Sequence, residues 1–411
     1  MNAPWLSIVG IGEDGLAGLS AAARTLVDSA EVLVGAERHF SRMPDAPDGQ
    51  ERIVWTSPLL ETTERVLAMR GRRVTVLATG DPMHFGIGAT IARRVEPDEV
   101  IVLPHVSSFA LAAARLLWPL DRVTLVSVHG RPVERALLHI APDARLLLLA
   151  NDGHTPRTIA AMLRARGFGE SKMTALAHLG GDKESRTDAL AREWSAEVPD
   201  LHVLAVECVA TPDAIWYPRI AGLPDDAFRH DGKMTKREAR ALAIAKLKPS
   251  RGARLWDIGA GAGSVAIEWL RAAEGSEAIA IEPDAARRAF AAENASALGV
   301  PHMKILDGRA PECLSGLDVP DAVFVGGGVS MHTISASLSA LRPGGTIVAH
   351  AVTLESEAVL LDAYARHGGE LVRISIARAD PIGDFTGWRP AMPVTQWSLR
   401  KTSAIHPGAP A

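Results

Sequence analysis

The sequence has few cysteines, no long hydrophobic run and no leader-like N-terminus. Only Cys208 and Cys313 occur among 411 residues, too few for a disulfide framework or, by themselves, for a zinc site. The longest apolar run lies around 146–150, far short of the roughly 20 residues of a membrane span. Residues 1–9 have no basic segment before an apolar one, which argues against a signal peptide. These absences predict a cytoplasmic protein without membrane contact.

Positive charge is not in excess either. Lysine and arginine number 44 against 48 aspartates and glutamates, a net charge of −4, so no broad basic surface faces a phosphate backbone. We therefore predict no nucleic-acid partner. The 47% hydrophobic and 22% charged content is typical of a globular protein, and the length indicates two or three domains.

Short β-rich runs alternate with helical segments through the first half. This alternation predicts an α/β domain over 1–215 with a largely parallel sheet. The predicted strands are 5–9, 73–78, 99–103, 122–127, 145–150 and 202–207.

The pattern breaks over 216–232, which we predict to be a linker. A second α/β domain is predicted over 233–401. Its first helix, 236–246, would be capped by Thr235 with Glu238 completing a capping box, and the last two strands would pair antiparallel across an irregular loop. Residues 402–411 are rich in proline, alanine and glycine and are predicted to be a disordered tail. The seven predicted strands are 253–258, 278–282, 303–306, 322–325, 346–350, 371–377 and 394–399.

The strongest local signal is a glycine-rich turn between a strand and a helix. Glycines at alternate positions let backbone amides approach a ligand, and the following helix N-terminus favours an anionic group. Glu282, at the end of the next predicted strand, is placed to accept hydrogen bonds from ribose hydroxyls. The turn comprises Gly259, Ala260, Gly261, Ala262 and Gly263.

Two cofactors could use this layout. A dinucleotide fingerprint would place its third glycine at Ser264. Asp257 followed by Gly-x-Gly-x-Gly instead resembles motif I of the class I S-adenosylmethionine methyltransferases, and seven strands match that fold. A glycine turn without any ligand remains the third reading.

Neighbouring segments make the resemblance specific. The run from Asp231 to Arg240, the triple glycine 326–328 and the ending 380–393 are similar to the precorrin-6B C15-methyltransferase/decarboxylase family, in its fused two-domain form. The resemblance implies that Thr235, the 259–263 turn, Glu282 and Ala310 contact S-adenosylmethionine. The Asn/Asp-Pro-Pro-aromatic and Pro-Cys motifs of nucleic-acid methyltransferases do not occur at the matching positions.

Weaker motifs in the first half, taken together, resemble the two-lobed tetrapyrrole methylase (class III) family, including its C5-methylating branch. The first loop departs from the family's Gly-x-Gly-Pro-Gly because it carries Glu13 and Asp14. Asp152 and His154 would touch substrate or only cap a helix. The residues that the resemblance places at the donor are Gly10, Gly12, Thr79, Gly80, Asp81, His84, Ser107 and Ser108.

Methyl transfer from a sulfonium needs alignment and exclusion of water more than acid–base groups, and we predict no metal. Decarboxylation would be favoured in a poorly hydrated pocket. Each candidate lining it could equally cap a helix, and the arginines 38, 131, 219 and 389 are candidates for substrate carboxylates. The catalytic candidates are Gly327, Gly328, His332, Glu355, Asp384 and Arg389.

The resemblance implies methylation of a precorrin at C5 and C15 with loss of a carboxyl group, in cobalamin biosynthesis, by a homo-oligomer with two donor sites per chain. One alternative is a C15-methylating decarboxylase whose first half is a non-catalytic tetrapyrrole-binding module. The other is a nucleic-acid methyltransferase with an accessory domain.

Overall fold

A computed structural model describes residues 4–56 and 59–402, which form two compact units. The first runs to Val133 and includes His139–Trp216; the second comprises Glu134–Leu138 and the chain from Tyr217. From Tyr217 onward, therefore, the stretch 216–232 that we predicted to be a linker groups with the second unit. Residues 403–411 of the predicted tail lie outside the described residues. No helix in the described part is both long and apolar enough to cross a bilayer.

The first sheet of unit 1 is entirely parallel, in the order β3-β2-β4-β1-β5. Apolar clusters cover both faces, as expected for strands read as continuous hydrophobic runs. The strand β1 lies between β4 and β5, so the carboxyl ends of these three strands meet. The elements are β1 (Leu6–Ile11), α1 (Ala21–Asp28), β2 (Val32–Gly35), α2 (Glu37–Phe40), β3 (Glu51–Val54), α3 (Leu59–Leu67), β4 (Val74–Thr79), α4 (Ile87–Ile91) and β5 (Val100–Leu103).

The second sheet of unit 1 has the order β6-β7-β10-β8-β9, and only β6 and β7 are parallel. The prediction of a largely parallel sheet is wrong here, because β8, β9 and β10 follow one another without crossover helices and pair antiparallel. The elements are α5 (Ser108–Leu116), β6 (Thr124–Ser127), β7 (Arg145–Leu149), α6 (Thr155–Ala165), β8 (Lys172–Ala177), β9 (Ser185–Leu190) and β10 (His202–Glu207).

Unit 2 contains a seven-stranded sheet in the order β13-β12-β11-β14-β15-β19-β16. The first five strands are parallel and β19 pairs antiparallel with β15 and β16. From β11 the sheet continues through β12 and β13 on one side and through β14 and β15 on the other. This reversal of strand order opens a crevice at the carboxyl end of β11. The elements are α7 (Arg237–Leu247), β11 (Arg254–Ile258), α8 (Ser264–Ala272), β12 (Glu277–Ile281), α9 (Ala285–Ala297), β13 (Lys304–Leu306), β14 (Ala322–Val325), α10 (Met331–Ala340), β15 (Thr346–Ala351), α11 (Leu354–His367), β16 (Glu370–Ile374) and β19 (Val394–Arg400).

Two local predictions for unit 2 are wrong. The N-cap of α7 is Lys236 and not Thr235; the Thr235 carbonyl instead accepts a hydrogen bond from Arg240 (2.6 Å), and Glu238 pairs with Arg378. The connection before β19 is not irregular, since β17 (Ala377–Ile382) and β18 (Phe385–Pro390) form a separate antiparallel hairpin.

Candidate functional site

The glycine turn of unit 2 lies where β11 ends and α8 begins. Gly259, Gly261 and Gly263 have φ values of +69°, +56° and +77°, which side chains other than glycine rarely adopt. A Cβ at Gly259 would also lie 2.6 Å from the backbone of Gly327, and one at Gly261 would lie 3.4 Å from the carbonyl of Lys233. The turn is therefore a backbone-lined cradle, built by the strand ends and the segment before α7.

Two acids support this turn. Glu282 is buried, and its two oxygens accept from Gly261 N (2.8 Å) and Asp284 N (3.0 Å). Asp257 accepts from Ala266 N at 2.9 Å, while its other oxygen is buried without a partner among the described residues. Burial, with the nearby charge of Glu282, raises the pKa of Asp257 to about 7. An ordered carboxylate beside glycine amides fits a ligand carrying a ribose and an ammonium group.

The ends of β12 and β13 are joined by an arginine that sequence reasoning missed. Arg288 pairs with Asp307 (2.9 Å) and donates to the carbonyls of Glu282 (3.0 Å) and Pro283 (2.7 Å). Ala310 is half-buried in the turn beyond Asp307. Arg288 thereby fixes the ends of β12 and β13, ahead of the turn that carries Ala310, one of the residues that the resemblance places at the methyl donor.

The catalytic candidates of unit 2 fall into two groups. One group follows β14, and the other lies on α11 and on the β17–β18 hairpin. Gly327 packs against Gly259, so it and Gly328 lie beside the cradle, and exposed His332 follows in the first turn of α10. Glu355 is exposed in the first turn of α11, where hydrogen bonds from its own backbone amide and from Thr353 lower its pKa. The structure puts Asp384 in the exposed turn of the β17–β18 hairpin, and Arg389 on β18 pairs with Asp380 (3.1 Å).

In unit 1 three strand ends come into contact at Gly10. A Cβ there would collide with the carbonyl of Gly80 and the amide of His105. Gly80 N donates to Ile11 O (2.9 Å), and His105 N donates to Gly80 O (3.2 Å). Glycine is therefore required at position 10 by the close approach of β1, β4 and β5.

The hydroxyl of Thr79 at the end of β4 is held by two donors. Arg38 Nη2 lies 2.7 Å and His39 Nε2 3.1 Å from Thr79 Oγ1. Burial, with the adjacent Arg38 charge, lowers the pKa of His39 to about 4. Since Nδ1 of this neutral ring accepts from Ala36 N (3.2 Å), Nε2 carries the hydrogen. The Thr79 oxygen thus accepts twice and its own hydrogen is left to donate to a ligand.

The first loop of unit 1, which carries Glu13 and Asp14 instead of the family's Gly-x-Gly-Pro-Gly, is held by contacts of charged side chains. Glu13 accepts from Arg42 (2.5 Å) and lies 2.9 Å from Nδ1 of His178. Asp14 lies next to Gly12, where a Cβ would be 2.5 Å from its carboxylate. The loop borders an open cavity of about 420 Å³ that also contains Arg38 and Lys183. No local sequence motif predicted Arg42 and His178 as partners of Glu13.

The remaining residues of unit 1 that the resemblance places at the methyl donor lie in the segments after β4 and β5. Asp81 accepts from Met83 N (2.9 Å), and the ring of His84 lies 5.2 Å from that of Phe109. Ser107 caps α5 through Ala110 N, and Ser108 is its first residue. Asp152, which could have touched substrate, accepts three hydrogen bonds from His154 and Thr155 at the start of α6, the capping alternative.

Fold and site together define a methyltransferase of two α/β units, a two-lobed tetrapyrrole methylase and a Rossmann-like class I methyltransferase. A family model described as Tetrapyrrole (Corrin/Porphyrin) Methylases matches residues 6–194, and one described as Precorrin methyltransferase domain matches 226–401. A Sinorhizobium protein named precorrin-6Y C(5,15)-methyltransferase [decarboxylating] is 48% identical, over 97% of each chain. The chain belongs to this family of decarboxylating precorrin-6Y methyltransferases.

Two shorter relatives each match less than half of the chain. A Pyrobaculum calidifontis protein named probable cobalt-precorrin-6B C(15)-methyltransferase (decarboxylating) is 37% identical over 42% of this chain and 91% of its own length. A Salmonella typhimurium protein named cobalt-precorrin-7 C(5)-methyltransferase is 28% identical over 44% of this chain and 87% of its own. The name of the Sinorhizobium protein combines C5 and C15 methylation, whereas each of these two shorter proteins is named for only one of them.

Proposed function

We propose that this chain methylates precorrin-6Y at C5 and C15 and removes one carboxyl group as carbon dioxide, within cobalamin biosynthesis. The observation that carries the proposal is the 48% identity to the Sinorhizobium protein of that name over 97% of both chains. Unit 1 takes the C5 methylation. Unit 2 takes the C15 methylation and the decarboxylation.

S-adenosylmethionine is proposed as the donor in both units, one molecule in each. It supplies an electrophilic methyl group on a sulfonium sulfur. In unit 2 the amides of the 259–263 turn and the N-terminus of α8 suit its carboxylate, and Glu282 suits its ribose. In unit 1 the glycines at positions 10 and 80 let the ends of β1, β4 and β5 approach one another closely, and the Thr79 hydroxyl beside them has a hydrogen to donate.

The task of unit 2 during methyl transfer is alignment. Backbone contact between Gly259 and Gly327 brings the donor cradle and the end of β14 together without intervening side chains. A carbon nucleophile brought to Gly327 and Gly328 would therefore lie close to the donor, the geometry that an in-line displacement requires. The leaving thioether needs no proton, so no general acid is assigned.

Loss of carbon dioxide leaves an electron pair that the conjugated imines of the substrate accept. For unit 2 we assign this step to the backbone surface at 327–328, with the exposed His332 in the first turn of α10. Glu355, Asp384 and Arg389 stay proposals for this step; the ion pair of Arg389 with Asp380 would have to open for it to bind a substrate carboxylate.

The main alternative makes unit 1 a binding module without catalysis, on account of Glu13 and Asp14. The pairing of Glu13 with Arg42 and His178 supports catalysis, since the charge is compensated within the unit. Calorimetric titration of the full chain with S-adenosylhomocysteine decides between them. We expect two sites per chain; a single site would favour the binding module.

The reaction itself is tested by incubating the full chain with precorrin-6Y and methyl-labelled donor, followed by NMR of the product. We expect label at C5 and C15 and loss of one carboxyl. Label confined to one carbon would contradict methylation at both positions. The nucleic-acid alternative has only the fold in its favour, and salt-sensitive RNA binding without tetrapyrrole binding would revive it.

A further inference from the structure

One exposed aromatic residue of unit 1 has an unfavourable backbone conformation. Phe85, in the loop between β4 and α4, has φ of +56° and is 38% exposed. A left-handed conformation costs a residue with a side chain roughly 1–2 kcal/mol. Burial of the ring cannot compensate fully, because the ring remains partly in water.

The loop around Phe85 is built so that it cannot relax. A Cβ at Gly86 or at Gly88 would lie 2.5 or 2.7 Å from the carbonyl oxygen of Pro82, which is itself buried. The neighbouring ring of His84 stacks on Phe85 at 4.8 Å, and Phe109 meets it edge-on at 6.1 Å. Strain held by its surroundings, in a loop with donor candidates, is typical of functional sites.

An arginine from the other sheet of unit 1 lies against the same ring. The guanidinium of Arg131, in the turn after β6, lies 5.6 Å from the Phe85 centroid, within range of a cation–π contact. Asn151 holds that turn, accepting from Gly130 N (2.7 Å) and donating to Arg131 O (3.4 Å). Throughout the described chain no carboxylate lies within ion-pair distance of Arg131.

We propose that Phe85 and Arg131 together bind the tetrapyrrole on unit 1, the phenyl ring against a face of the conjugated macrocycle and the guanidinium on one of its peripheral carboxylates. This rests on the proposed function. A flat apolar ring offers stacking area with little loss of conformational entropy. An arginine stacked on that ring keeps the N–H groups at its edge free for a carboxylate. The exposed neighbours Met83 and Val106 extend the apolar surface.

The test is steady-state C5 methylation by the full chain, with precorrin-6Y varied at saturating donor. Phe85→Leu and Arg131→Gln should each raise KM about tenfold, a loss of about 1.4 kcal/mol, and change kcat less than about twofold. Phe85→Tyr, which keeps the ring, should restore KM. Added salt should raise KM for the wild type and much less for Arg131→Gln.

Leu117 provides a matched control for the strain. It has the same φ of +56° at the end of α5 and is 87% exposed, and Leu117→Gly should raise the melting temperature without changing KM. Phe85→Gly removes the ring and its contacts together with the strain, and should raise KM. Donor affinity, measured by calorimetry, should be unchanged in all variants.

Two failures are distinguishable. If the wild type leaves C5 unmethylated, the proposed function falls and this inference with it. If the wild type methylates C5 and Phe85→Leu and Arg131→Gln keep KM within twofold of it, the inference alone is overturned. A variant that changes only kcat would also refute a binding role.

Discussion

A fully buried ion pair in unit 2 holds the segment that leads into the donor cradle. Arg240 donates to Glu268 at 2.6 Å, and both side chains are almost inaccessible to water. Arg240 also donates to the carbonyls of Thr235 (2.6 Å) and Leu223 (2.5 Å), while Glu268 accepts from Gly222 N and Leu223 N. The pair therefore links α7, α8 and the segment 222–235.

Arg240→Met removes the cation and leaves a buried carboxylate without its partner. Breaking such a pair costs about 3–5 kcal/mol, which for a unit of this size lowers the melting temperature by roughly 6–20 °C. Release of the Thr235 carbonyl should also loosen the segment at Gly261 and weaken donor binding in unit 2. The double variant with Glu268→Met should cost less than the sum of the two single changes, because the buried carboxylate is then removed together with its cation, and Asp225, the other partner of Arg240 (3.3 Å), is partly exposed.

Hydrogen exchange followed by mass spectrometry reads each unit separately in the full chain. Protection of β11 and β14 should fall in Arg240→Met, and protection of β1 and β4 should not. Arg366→Met is the control, since its pair with Asp362 is exposed to solvent and contributes little to stability. A cost below about 1 kcal/mol for Arg240→Met, or additive single variants, would refute the reasoning.

Three further changes test the two sites. Gly259→Ala should abolish C15 methylation and decarboxylation but not C5 methylation, because the methyl would meet Gly327 at 2.6 Å; mass spectrometry of the product measures this. Gly10→Ala should do the reverse, because it collides with Gly80. Asp257, with its pKa raised by burial to about 7, keeps its proton better folded than unfolded, so stability should fall as pH rises from about 4 to 7, by at most about 4 kcal/mol; Asp257→Asn should remove that slope in urea titrations.

The two glycine variants each have a matched control glycine elsewhere in the chain. Gly275→Ala matches the positive φ of Gly259 (+70°) but meets nothing within 4 Å, and Gly169→Ala makes only an ordinary contact of 3.6 Å; both should keep full activity. Loss of both methylations in Gly259→Ala would speak against separate sites. A stability profile of Asp257→Asn that keeps the wild-type slope between pH 4 and 7 would place the titration elsewhere.

Much of unit 2 was predictable because its signals are local. The alternation of strands and helices, and the glycines at 259, 261 and 263, are readable from neighbouring residues alone, and the structure has all seven strands within a few residues of their predicted bounds. The wrong prediction for the start of α7 is one that depends on distant partners. Thr235 does not cap α7, because Arg240 takes its carbonyl, and Glu238 is drawn to Arg378 from β17.

Two α/β units, the glycine-lined strand ends and the methyltransferase resemblance could be predicted from the amino-acid sequence, because strand periodicity and glycine geometry are properties of short segments. Which side chains come into contact could be learned only from the folded chain. Glu13 and His178 are 165 positions apart, and Phe85 and Arg131 lie in loops that follow strands of different sheets. Such contacts depend on the order in which strands pair. The antiparallel half of the second sheet had the same cause, since the direction of pairing follows from the connections between strands and not from the strands themselves.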